Sequence, residues 1–122
     1  LASGEVVGLD EGGNLVLATQ YPPEAVVALG LDRRLGVSVQ TGRDVTFDGG
    51  AVRLPRGARM VDLDQGLVLW SRAGDLGRTT VSGASAVVAR GTPARPALGR
   101  IDERGLVWAN GRSVRWRSGR LP

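Results

Sequence analysis

Short apolar runs alternate along the chain with turns rich in glycine, aspartate and proline, and one arrangement of them recurs four times. In each copy an apolar pair leads into an aspartate, a turn follows, and a β-type apolar run begins. A recurring strand–turn–strand unit is typical of repetitive β modules, so the repeat predicts an all-β fold. The four aspartates are Asp10, Asp32, Asp64 and Asp102, at intervals of 22, 32 and 38 residues.

Period-two alternation of apolar and polar residues is clearest between residues 36 and 54. Val37 and Val39, and then Val45 and Phe47, alternate with polar residues between glycine-containing turns. This pattern predicts half-buried strands. Further strands are predicted at 59–63, 67–71, 79–81 and 86–89, together with an N-terminal hairpin at 4–20.

Residues 24–35 carry conflicting signals. Pro22 and Glu24 suit a helix start, and Val27, Leu31 and Leu35 would share one helical face. Gly30 and the adjacent valines weaken a helix and favour a strand instead. Both a strand and a short helix therefore stay open for this segment.

The C-terminal segment predicts a hairpin around Asn110-Gly111, the preferred pair for a two-residue type I′ turn. This turn would place Trp108 opposite Ser113. Neither face of the hairpin would be wholly polar, so we expect it to lie between two layers or partly in an interface. One face carries Val107, Val114 and Trp116, and the other carries Leu106, Trp108, Arg115 and Arg117.

The longer intervals between the aspartates leave room for two added strands, giving four-stranded units. Such a unit resembles the blade of a β-propeller. The resemblance implies blades at 26–57, 58–94 and 95–122, the last incomplete, within one β-rich domain spanning 1–122. The predicted fold class is all-β, with antiparallel hairpins in about three four-stranded repeat units, propeller-like or forming a small β-sandwich or barrel. Because propellers usually close with four to eight blades, it also implies a piece of a longer protein or a chain that needs a partner.

A second resemblance concerns the stretches 54–57, 66–74 and 100–107. They are similar to the β-rich head of minor type IV pilins and type II secretion pseudopilins. That resemblance implies an extracellular, non-enzymatic subunit held in a filament, and it favours an extracellular or cell-envelope setting. Those heads begin with a long apolar helix, which the glycine-rich residues 1–20 cannot form.

The chain of 122 residues contains no cysteine and no histidine. The usual general base, thiol nucleophile and soft metal ligands are therefore missing, and we predict no catalytic residue and no cofactor. Asp62 with Asp64 would share one strand face and could form an acid–base pair. Repetition of aspartates at equivalent places favours a turn-forming role instead.

Two acidic groups could in principle hold Ca²⁺. They are Asp10-Glu11 with Asn14, and Asp44 with Asp48. Neither has the spacing of a calcium-binding loop, so no metal site is predicted. The chain also lacks an apolar stretch of the about 18 residues needed to span a bilayer.

Charge is distributed unevenly. All 16 basic residues are arginine and the net charge is +4, but residues 1–25 carry −4 and residues 95–122 carry +5. Opposite charge at the two ends suits head-to-tail contact between copies or between the ends of one chain.

The most basic strand supplies the candidate binding residues. Arginines interleaved with aromatic rings could meet an acidic protein partner, contact nucleic acid phosphates and bases, or simply protect an edge strand from pairing. We predict a non-catalytic protein-interaction or structural assembly module, with a filament subunit and an arginine-rich nucleic-acid-binding module as alternatives. The candidate residues are Trp108, Arg112, Arg115, Trp116, Arg117 and Arg120.

Overall fold

Thirteen β-strands make up the regular structure in a computed structural model of the chain, which describes residues 4–9, 11–21, 26–32, 36–47, 49–111 and 113–118. No helix occurs in these ranges. The predicted all-β fold of antiparallel hairpins is thus confirmed, and none of the described sheets closes into a barrel.

The strands form one hairpin and three larger sheets, and hydrogen-bonded neighbours are always consecutive along the chain. The N-terminal hairpin consists of β1 (Gly4–Leu9) and β2 (Leu15–Tyr21). The first sheet consists of β3 (Val26–Asp32), β4 (Gly36–Thr41), β5 (Asp44–Phe47) and β6 (Gly50–Arg53). The second consists of β7 (Arg59–Asp64), β8 (Leu67–Arg72), β9 (Asp75–Thr79) and β10 (Ser85–Ala89). The third consists of β11 (Leu98–Asp102), β12 (Gly105–Asn110) and β13 (Ser113–Ser118).

The repeated aspartate occupies the same place in each of the three sheets. It is the last residue of the sheet's first strand and lies opposite the first residue of the second strand. The preceding apolar residue then pairs with an apolar residue of the second strand. The aspartate pairs are Asp32 with Gly36, Asp64 with Leu67 and Asp102 with Gly105, and the apolar pairs are Leu31 with Val37, Leu63 with Val68 and Ile101 with Leu106. Asp10 lies outside the described residues.

The core lies in two clusters, one on each side of the second sheet. Strand β8 therefore reads as a continuous apolar run, Leu67–Trp70, because both of its faces are covered. The cluster against the first sheet includes Val45, Val52, Met60, Leu63, Val68 and Trp70. The cluster against the third sheet includes Leu69, Leu76, Ala89, Ile101 and Leu106, with Trp108 packed beside it.

Two predicted elements differ from the structure. The helical alternative for 24–35 is wrong, because residues 26–32 form β3; Gly30, which weakens a helix, leaves room there for the Leu63 side chain. The strand predicted at 79–81 is also misplaced. Strand β9 begins at Asp75, directly after the two-residue turn of Ala73 and Gly74, both at positive φ. That is the backbone of a type I′ hairpin turn.

The register predicted for the last hairpin is wrong by two residues. Trp108 lies opposite Arg115, and Asn110 pairs with Ser113 instead of forming the turn. The turn begins at Gly111, whose φ of 61° supplies the positive value that the first central position of such a turn requires. Because the shift is by two, each side chain keeps its predicted face.

Candidate interaction surfaces

The second sheet packs on the first and the third packs on the second. In the second and third sheets we call the face that meets the preceding sheet the front face, and the opposite one the back face. In the first sheet the front face is the one made of the equivalent positions. Equivalent positions of the first two strands form the front face of every sheet. These are Leu63, Val68 and Trp70 in the second sheet, Ile101, Leu106 and Trp108 in the third, and Leu31, Val37 and Val39 in the first.

The front face of the first sheet is partly open. Leu31 is 77% exposed and its neighbour Leu29 is 58% exposed, although Val39 on the same face is buried. The equivalent residues Leu63 and Ile101 are both buried against a preceding sheet. The first sheet therefore presents to solvent an apolar position that the other two sheets bury.

The back face of the third sheet is open as well. Leu98, Val114 and Trp116 are 64%, 75% and 60% exposed, and Val107 and Ala109 beside them are half-buried. A groove of about 500 Å³ joins this face to Val61, Ser71 and Leu76 of the second sheet, and most of its lining is apolar. Exposed apolar side chains grouped on one sheet face are typical of an interaction surface.

The structure divides the predicted binding residues between two faces of the third sheet. Trp108 and Arg115 form a cross-strand pair on the front side, whereas Trp116 lies on the back face. Arg117 is placed opposite Leu106. Arg112 and Arg120 lie outside the described residues. The predicted residues therefore do not form a single site around the exposed Trp116.

Two polar side chains connect the sheets, and sequence reasoning did not find this role. Buried Gln40 of the first sheet accepts the Met60 N–H at 2.7 Å and donates to the Ala58 carbonyl at 2.8 Å. Asp62 of the second sheet accepts the Ile101 N–H at 2.8 Å. Both side chains thus satisfy a backbone donor on the first strand of the next sheet, which is an edge strand. No local sequence signal marks them, because each contact spans 18 or more residues.

The acidic residues of the repeat gather where the first strands end. Asp62, Asp64, Asp102 and Glu103 line a cleft of about 440 Å³ together with Arg104. Arg104 Nη2 lies 2.8 Å from Asp102 Oδ2, and this hydrogen bond lowers the pKa of Asp102. Asp102 also accepts the backbone N–H of Arg104, two residues on, as a turn-forming aspartate does.

The two acidic groups considered for Ca²⁺ fall only partly within the described part of the chain. Asp44 forms an ion pair with Arg53 at 3.0 Å, and that hydrogen bond lowers the pKa of Asp44. Asp10 and Asp48 lie outside the described residues. Among the residues that the structure describes, no three His, Cys, Asp or Glu side chains are grouped so that they could hold a metal ion.

Comparison with models of protein families, with curated proteins and with solved structures found no match for this chain. In the described ranges, no helix has the length and apolar character needed to cross a membrane. Exposed apolar side chains lie at both ends of the sheet stack, Leu29 and Leu31 on the first sheet and Leu98, Val114 and Trp116 on the third, and such groups are typical of an interaction surface.

Proposed function

We propose that this chain is a non-catalytic assembly module of propeller-type blades that binds a protein partner or another copy of itself through the open ends of its sheet stack. The observation that carries the proposal is the exposure of Leu98, Val114 and Trp116 on the back face of the third sheet. The back faces of the first and second sheets are covered by the sheet that follows each of them.

Three features support blade-like units. Each larger sheet is an antiparallel meander, the first strands β3, β7 and β11 lie next to one another in that order, and successive sheets pack face to face. Propeller blades have this connectivity and this arrangement of first strands. A stack that ends without a covering layer leaves apolar area in water, and burying it favours association.

A protein partner is favoured over nucleic acid by the placement of the aromatic and basic side chains. Single-stranded nucleic acid is bound where stacking rings and cations share one groove. Trp116 and Arg115 are adjacent in β13 and therefore point to opposite faces of the third sheet. One face thus offers an exposed ring among apolar neighbours, which suits a protein surface.

The test is sedimentation equilibrium of the chain with a matched pair of variants. Trp116→Arg places a charge in the centre of the back face, and we expect it to weaken association by about tenfold or more, since tryptophan is a frequent hot-spot residue. Ser113→Arg places the same charge in the same strand but on the opposite face, and should leave association unchanged.

Equal effects of the two variants, or a chain that stays monomeric at high concentration, would contradict assembly through this face. Binding of a polynucleotide at physiological salt that Arg115→Ala weakens would instead support the nucleic-acid-binding alternative.

A further inference from the structure

We infer that the partner of the open back face is the first sheet of a second copy of this chain, so that copies join head to tail and continue the sheet stack. This inference rests on the proposed function and specifies its partner. Within one chain, the back face of one sheet already packs on the front face of the next sheet twice. These two internal contacts serve as a template for the contact between copies.

The template is defined by the position two residues before each repeated aspartate. This position is Gly30 in β3, Asp62 in β7 and Arg100 in β11. In the first internal interface, a methyl group placed on Gly30 would lie 2.7 Å from Leu63 Cδ2. In the second, Asp62 Oδ2 accepts the Ile101 N–H at 2.8 Å. This position therefore faces the residue just before the aspartate of the next sheet both times.

Applied a third time, the template pairs Arg100 with Leu31. Arg100 is exposed on the back face of the third sheet, and its Nη1 donates to the Val61 carbonyl of the second sheet at 3.3 Å. Leu31 is 77% exposed on the front face of the first sheet, at the edge of the cleft that Asp102 and Arg104 also line. The apolar residues Leu98, Val114 and Trp116 beside Arg100 would then cover Leu29 and Leu31 of the next copy. Both exposed apolar groups are thereby buried in one contact.

Charge supports the same direction of association. The third sheet lies in the segment 95–122, which carries +5, and the first sheet directly follows the segment 1–25, which carries −4. Head-to-tail contact brings the basic end of one copy to the acidic end of the next. Attraction between such ends weakens with salt, so association should weaken as ionic strength rises.

The absence of cysteine permits a direct test by cross-linking single-cysteine variants. Leu31→Cys and Arg100→Cys are both at exposed positions, so the fold should tolerate them. A short bifunctional maleimide is added to each variant alone and to their mixture. We expect a covalent dimer only in the mixture, because a head-to-tail contact joins two different surfaces. The double variant should give a ladder of dimers, trimers and larger species.

Two controls define the result. A mixture of Leu31→Cys with Ser113→Cys, whose cysteine lies on the front side of β13, should give little product. Adding Trp116→Arg to the Arg100→Cys variant should remove the product of the mixture.

Each other outcome overturns the inference in a distinguishable way. Efficient cross-linking of either variant with itself indicates a two-fold symmetric contact. Association that Trp116→Arg still weakens, without product in the mixture, leaves the proposed function intact but shows a different mode of contact. A chain that does not associate at all contradicts both the inference and assembly through this face.

Discussion

A single carboxylate, Asp75, fixes the segment that follows β10 against the start of β9. Its Oδ1 accepts the Gly91 N–H at 3.0 Å, and its Oδ2 lies 3.1 Å from Arg90 Nη1. The hydrogen bond from Gly91 is the main reason that the pKa of Asp75 is lowered, and the hydrogen bond from Arg90 adds to it. Both contacts are stronger when the carboxylate is ionised, because a charged acceptor makes stronger hydrogen bonds than a neutral one.

Asp75 should therefore contribute to stability in a pH-dependent way. Because the folded state lowers its pKa, the contribution is complete above the ordinary value of 3.8 and is lost as pH falls through the lower folded-state pKa. We expect Asp75→Asn to lower the melting temperature at pH 7. The difference in melting temperature between the variant and the native chain should shrink as the pH approaches 2. Thermal melts across this range measure the effect, and a gap that is constant with pH would contradict it.

Trp70 is the largest buried side chain and it depends on a glycine opposite it. The indole packs onto Gly77, its partner in the ladder, and donates Nε1–H to Thr79 Oγ1 at 3.0 Å. Thr79 in turn lies 2.7 Å from Ser85 Oγ. A side chain at position 77 would occupy the space of the ring.

We expect Gly77→Ala to lower the free energy of unfolding by about 1–3 kcal/mol, because the ring must move within a packed core. Urea denaturation measures this loss, with Gly50→Ala as the control. Gly50 is exposed, and its added methyl group would meet only the Phe47 ring. Similar losses in the two variants would show that the Trp70 contact is not the cause.

At the scale of elements, the first strand of each later sheet is an edge strand, and a side chain of the sheet before it accepts one of its backbone N–H groups. Gln40 serves β7 and Asp62 serves β11. An edge strand with unsatisfied donors is a template for unwanted pairing. These side chains therefore hold adjacent sheets together and also protect their edges.

We expect Asp62→Ala to lower the free energy of unfolding by about 1–3 kcal/mol, since it leaves the part-buried Ile101 N–H without its acceptor. Asp62→Asn keeps one acceptor oxygen and should cost less. Hydrogen exchange of the Ile101 amide should speed up in the alanine variant, which ties the loss to this bond. Asp44→Ala, which removes an exposed ion pair with Arg53, is the control and should change stability little.

The strands themselves were largely predictable because alternation and turn chemistry are local. The pattern in 36–54 correctly indicated β4, β5 and β6. The last hairpin has the predicted faces but not the predicted register. The face of each side chain follows from the apolar–polar alternation, whereas the register depends on where the turn begins, and it begins at Gly111, which has a positive φ. Strand β9 was misplaced because Asp75–Thr79 has only one large apolar residue, Leu76.

At the scale of the whole molecule, the sequence did not predict which residues meet between sheets. The strand pattern places Asp62 beside Asp64, whereas the backbone N–H that Asp62 accepts belongs to Ile101, 39 residues away. The arginines around Trp116 mark it as a candidate residue in the sequence, but nothing local marks Leu98, which is exposed on the same face. Contacts of this kind depend on how the sheets pack against one another, and the apolar–polar alternation within a single strand gives no information about that packing.

The order of the sheets in space is also their order of synthesis. Every hydrogen-bonded pair of described strands joins neighbours along the chain, so each sheet can form with short loop closures and little entropic cost. The second and third sheets also each bury their front face on the sheet made before them. A nascent chain can therefore fold sheet by sheet as it leaves the ribosome, with the finished sheet guiding the next one into place.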